Sequence, residues 1–152
     1  MNAILRNIVA VIGGFVIGST VNMVLIQVGP RVIPPPAGVD MSTVEGLKAS
    51  VHLLQPIHYL FPFLAHALGT LAGVLCAMLI ALTYRAAFAY AVGGLFLAGG
   101  VAATFMIPAP GWFIALDLLG AYLPMAWLGV TLGRRIKPNR AVDPSGETNP
   151  SR

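Results

Sequence analysis

The chain has 152 residues, of which 57% are hydrophobic and only 9% charged, whereas soluble domains carry about 25% charged residues. A soluble fold of this size cannot cover so much apolar surface, and the charges are segregated, with none between positions 8 and 30 or between 86 and 116. The net charge of +4 comes from basic residues that flank apolar runs instead of alternating with aromatics, so it does not point to nucleic acid.

Four apolar runs of about 20 residues have the length a bilayer core demands. They cover about 8–28, 62–84, 86–107 and 112–133. Their continuity disfavours a β-barrel, whose strands alternate polar and apolar residues. The predicted fold is therefore all-α: an integral membrane four-helix bundle. Arg6 before an apolar run resembles a signal peptide, but the run is too long and no small-residue cleavage site follows. The first run is read as an uncleaved helix. Cys76 lies inside the second run. It is the one cysteine, so no intramolecular disulfide forms, and it serves as a small buried hydrophobe.

Between the first two spans lies a connection at about 29–61. Its start, Ile33-Pro34-Pro35-Pro36-Ala37-Gly38-Val39-Asp40, must be extended, because consecutive prolines fix φ and lack an N–H to donate. Ser42 with Glu45 three residues later forms a capping-box pattern. Val44, Leu47, Val51 and Leu54 then recur at helical spacing, opposite Glu45, Lys48, His52 and Gln55. A short external amphipathic helix is predicted here. His52 and His58 lack a ligand set of metal-binding spacing and read as interfacial residues near Tyr59 and Phe61.

The Lys and Arg residues divide seven to two. Arg6, Arg85, Arg134, Arg135, Lys137, Arg140 and Arg152 lie on one side, Arg31 and Lys48 on the other. Excess positive charge marks the cytoplasmic side. Both termini are thus expected to be cytoplasmic and the loop external, in the cell membrane. The polar segment 136–152 is expected to be a disordered cytoplasmic tail, with Arg134, Arg135 and Lys137 facing an anionic leaflet.

Membrane helices associate through small residues that allow close approach. Gly14 and Gly18, Gly69 and Gly73, and Gly129 and Gly133 fit that pattern. Asn22 continues the first stripe. His66 begins a face with Gly69, Thr70, Gly73 and Ala77, and Asp117 shares one with Gly120, Ala121 and Pro124. On the third helix, Gly93, Gly100 and Thr104 make a similar stripe. At about 1.5 Å per residue, Asn22, His66 and Asp117 lie roughly 10, 6 and 9 Å from the outer ends of their helices. They form the candidate intramembrane polar cluster. A carboxylate at that depth needs a partner, a proton or water; His66 is the obvious partner, with Asn22 and Tyr122 as further donors.

The strings Ile33–Asp40, Pro62-Phe63-Leu64-Ala65-His66-Ala67-Leu68-Gly69-Thr70 and Pro110-Gly111-Trp112-Phe113, with Asp117 and Ala121-Tyr122-Leu123-Pro124, are similar to small, uncharacterised bacterial four-helix membrane proteins. The resemblance covers most of the chain before the tail. It implies a bacterial cytoplasmic membrane and carries no activity with it. The size also suggests small multidrug transporters, but those have a glutamate in the first helix, where this chain has no acidic residue.

Three readings compete. First comes a non-enzymatic membrane component that packs with itself or with a membrane protein partner, its polar cluster fixing helix register. Second is a small proton- or cation-linked transporter using Asn22, His66 and Asp117. Last is an intramembrane enzyme with His66 as base and Asp117 as its orienting acid. No nucleophile, metal set or phosphate loop accompanies that pair, so no catalytic residue, metal or cofactor is expected.

Overall fold

Four helices are long and apolar enough to cross a membrane. The computed structural model describes residues 2–138. Helix α1 spans Ala3–Val32, capped by the Asn2 side chain, which accepts the Leu5 N–H at 2.8 Å. Its 30 residues extend about 45 Å, longer than a hydrocarbon core of about 30 Å, so it tilts or protrudes. Helix α2 is Val44–Ser50, α3 is Leu60–Ile80 and α4 is Arg85–Met106. Helix α5 runs over Gly111–Ile136, with a π turn at Leu118–Tyr122 inside it. Of the expected tail at 136–152, Ile136 still belongs to α5, and residues 139–152 lie outside the described residues.

Helix α3 is the central element, touching α1, α4 and α5. Its approach to α1 is backbone to backbone. A Cβ on Gly14 would lie 2.6 Å from the Gly73 carbonyl, and one on Gly18 would lie 2.6 Å from the Gly69 carbonyl. On its other side α3 meets α5 through Val74 and Met78, which fill the spaces left at Gly129 and Gly133. Val74, Met78, Val92 and Val130 form the centre of the apolar core. Small residues are required at these crossings because lipid offers little hydrophobic drive and contact must come from close packing.

The second span ends at Ile80, four residues before the expected boundary at 84. The reversal between α3 and α4 explains the difference. Tyr84 adopts a left-handed conformation, φ 47°, which turns the chain. Asn7 of α1 fastens this turn: its Oδ1 accepts the Leu82 N–H at 3.0 Å, and its Nδ2 donates to the Thr83 hydroxyl at 2.7 Å. Three cations complete the α3 terminus. Arg6 Nε donates to the Ile80 carbonyl at 2.8 Å, Arg85 Nε to Met78 at 3.0 Å and Lys137 Nζ to Leu79 at 3.1 Å. Arg85 also donates to the Lys137 and Gly133 carbonyls of α5 and its end, at 2.7 and 3.4 Å. Carbonyls at helix C-termini lack intrahelical partners, and cations there satisfy them.

The loop is organised around Asp40. Its carboxylate accepts the N–H and the hydroxyl of Ser42, at 2.8 and 2.5 Å, and the Thr43 hydroxyl at 3.4 Å. The cap of α2 is therefore Thr43, whose hydroxyl accepts the Gly46 N–H, one residue after the expected Ser42. Ser42 is not the cap because both its N–H and its hydroxyl are spent on Asp40. Those hydrogen bonds hold the Asp40 carboxyl below the usual carboxylate range, the Ser42 hydroxyl contributing most and the Ser42 N–H next. A Cβ at position 46 would collide with the Asp40 carboxylate, so glycine is required there.

Candidate functional site

His66 stands near the start of α3, and Asp117 six residues into α5. The two helices run in the same direction from the end of the bundle that carries the loop, so the side chains reach the same depth. His66 Nδ1 lies 2.9 Å from Asp117 Oδ1 and 2.7 Å from Oδ2. The Asp117 side chain is 8% exposed and that of His66 is 23% exposed. With its proton on Nδ1 donated to the carboxylate, the imidazole leaves Nε2 as a lone-pair acceptor. Among the described residues no hydrogen bond reaches Nε2.

Tyr122 completes the pair. Its ring stacks on the imidazole with centroids 5.5 Å apart. In a regular α-helix, positions 117 and 122 are about 140° apart. The π turn at Leu118–Tyr122 changes this, since its i→i+5 bonding brings residues five apart onto one side. Pro124 gives the reason for the turn. It has no N–H for the Gly120 carbonyl, and its ring would crowd that carbonyl in α geometry. The same turn corrects the expected face of Asp117. Ala121 and Tyr122 are buried with it, while Pro124 is exposed.

Asn22 is not joined to the pair. It packs against Gly69, its Cβ only 3.0 Å from where a Cβ on Gly69 would stand. No hydrogen bond joins it to His66 or Asp117 among the described residues. At 3.6 residues per turn, His66 and Gly69 are about 60° apart around α3. The single expected face thus divides into two, with Gly69 and Gly73 meeting α1 and His66 meeting α5.

The pair forms part of the wall of a cavity of about 360 Å³. Apolar residues from all four long helices surround it, among them Ile26, Phe61, Ala103 and Ile114. The loop supplies Pro35, Met41, Leu47 and Leu54 over it. His58 holds this covering strap in place. Its Nδ1 accepts the Gln55 N–H at 3.1 Å, so Nε2 carries the proton and donates to the Pro34 carbonyl at 3.2 Å. Tyr59, which also lines the cavity, meets Trp112 edge to face and Phe113 at a tilt, with ring centroids 5.6 and 4.7 Å away. Its buried hydroxyl has no hydrogen-bond partner among the described residues. Pockets that receive small molecules have this character: a few hundred Å³, mostly apolar, with a small number of convergent polar groups.

Sequence reasoning missed Tyr59, Gly100 and the covering strap as parts of one site. Only the clustered aromatics 59, 61 and 63 and the prolines on either side of the loop hinted at an enclosed end. Among the described residues no group of three or more His, Cys, Asp or Glu side chains is placed to hold a metal ion. No protein-family model, curated protein or solved structure matches this chain.

Proposed function

We propose that the protein is a multi-pass component of a bacterial cell membrane that binds a small, largely apolar molecule bearing one amine or hydroxyl group, as a carrier would. The observation that supports this most is the His66–Asp117 pair in the wall of an apolar cavity, with Nε2 unpartnered among the described residues. A pair serving packing alone would account for the 2.7 Å contact, but not for the cavity or for the buried Tyr59 hydroxyl left without a partner. That is why the carrier reading is preferred over the packing component. With one proton on the imidazole the pair carries one negative charge, which favours a cation or a donor group. Ionisable groups within membrane segments are functional candidates for this reason. The Lys and Arg asymmetry supports cytoplasmic termini and a cavity toward the outer face, with α2 as a short external amphipathic helix above it.

Thermal denaturation of the protein in a neutral detergent, with hexylamine, hexanol or hexanoate added, tests the reading. Hexylamine is expected to protect the wild type most and hexanoate least. Asp117→Asn is expected to remove the preference for the amine. Equal protection by hexanoate, or a preference that survives Asp117→Asn, would sink the proposal.

A further inference from the structure

At the opposite end of the bundle from the cavity, the helix termini place four cations around one concavity. Arg6, Arg85, Arg134 and Lys137 line a pocket of about 910 Å³. The described carboxylates, Asp40, Glu45 and Asp117, all belong to the loop or to the other half of the bundle. The helix dipoles do not offset this charge. Two N-termini, of α1 and α4, and two C-termini, of α3 and α5, meet at this end, and half-charges of opposite sign cancel in pairs. The side-chain charges remain.

Two of the cations retain donors that no described residue uses. Arg6 spends only Nε, on the Ile80 carbonyl, and both of its terminal nitrogens lack a hydrogen-bond partner among the described residues. Arg134 is exposed, and its side chain makes no hydrogen bond among the described residues. The same pocket has apolar lining residues, Met78, Leu82 and Ala86. Beside them Tyr84 is 83% exposed, as an aromatic at the headgroup level would be. Cations together with apolar lining residues, at the end of helices long and apolar enough to cross a membrane, suit a molecule with an anionic head and an acyl tail.

We infer that this pocket binds the phosphate headgroup of an anionic glycerophospholipid, with Arg6 and Arg134 as its guanidinium contacts. Basic pockets between helix ends are known to receive such headgroups, and guanidinium groups suit phosphate because they donate in a fork. The inference is independent of the cavity near His66.

The test is thermal denaturation of the full chain in a neutral detergent, titrated with dihexanoyl-phosphatidylglycerol, dihexanoyl-phosphatidylcholine or inorganic phosphate. The glycerol lipid should stabilise the protein at concentrations where the choline lipid and phosphate do not. Arg6→Gln and Arg134→Gln should each weaken the effect about fivefold, the factor that one basic residue near the headgroups is worth. Arg135→Gln is the control, because Arg135 carries the same charge at the same end but does not line the pocket; it should change the effect by less than about twofold. Arg6 also caps α3, so Arg134→Gln decides the matter if Arg6→Gln fails to fold. Equal stabilisation by the choline lipid, or an equal loss with Arg135→Gln, would overturn the inference in favour of diffuse attraction. Protection by inorganic phosphate at the same concentration would overturn it in favour of a soluble anion.

Discussion

Gly100 of α4 holds open the space that the Tyr122 phenol occupies: a Cβ at position 100 would stand 2.5 Å from the tyrosine hydroxyl and 2.5 Å from its Cζ. A side chain at 100 therefore reaches His66 and Asp117 through Tyr122. Gly100→Ala is expected to push the phenol off the imidazole, at a cost of about 1–3 kcal/mol, the usual range for overpacking. Unfolding in detergent measures the cost, and the near-ultraviolet circular dichroism spectrum reports the change in aromatic packing. An unchanged stability with an unchanged spectrum would show that the ring has room to spare.

The glycines divide into two groups with opposite expected behaviour. Gly18 faces the Gly69 carbonyl and the Phe96 ring, which a Cβ would approach at 2.6 and 2.5 Å. Backbone cannot give way as a flexible side chain can, so Gly18→Ala should separate α1 from α3 and destabilise the protein by more than about 2 kcal/mol. Gly94 and Gly99 have nothing within 4 Å of an added Cβ. Alanine there should be neutral or stabilising by up to about 1 kcal/mol, since it only lowers backbone freedom within a helix. Detergent unfolding curves for the three variants would decide it. A Gly18→Ala protein as stable as Gly94→Ala would mean that the α1 crossing contributes little.

Four long helices and the His66–Asp117 contact were legible in the sequence, because both depend on local spacing. A run of apolar residues gives length, and small residues three and four apart give a packing face. What spacing could not supply was any departure from the regular helix. Pro124 was visible, but a proline can break, kink or shift a helix. Only the fold shows that α5 answers with a π turn that brings Tyr122 alongside Asp117. Asn22 exposed a second limit. It lies on a small-residue stripe as expected, yet α3 presents separate sides to α1 and α5, and a stripe does not say which neighbour it meets. The cation cluster needed contacts between residues up to 74 positions apart, as for Arg6 and Ile80.

The Asp40 turn should respond to acid. Its carboxyl titrates lower in the folded loop than in an open chain, because Ser42 and Thr43 donate to the charged form. The stabilisation it contributes is therefore complete above the ordinary aspartate value, and it is lost as pH falls through the lower folded value. Amide exchange at Ser42 and Gly46 should accelerate only below about pH 4, while amides of α3 stay protected. Asp40→Ala should show the open-loop exchange at every pH. Protection at Ser42 that persists through strong acid would show that the turn does not depend on this carboxylate.

The pair itself makes the most demanding prediction. Asn at 117 keeps the shape of the carboxylate and can still accept from His66 Nδ1. Interhelical hydrogen bonds in membranes contribute about 0.6 kcal/mol on average, so Asp117→Asn should leave stability within about 1 kcal/mol of wild type. His66→Ala should cost more, about 1–3 kcal/mol, because it leaves a buried carboxylate without its donor. Ligand binding separates the readings further. The Asp117 carboxylate and the Nε2 lone pair of His66 both accept from an ammonium group, so Asp117→Asn and His66→Gln should each weaken hexylamine binding while remaining folded. Calorimetry in detergent measures that binding directly. A folded Asp117→Asn protein that binds hexylamine as tightly as wild type would leave the pair with packing as its only role.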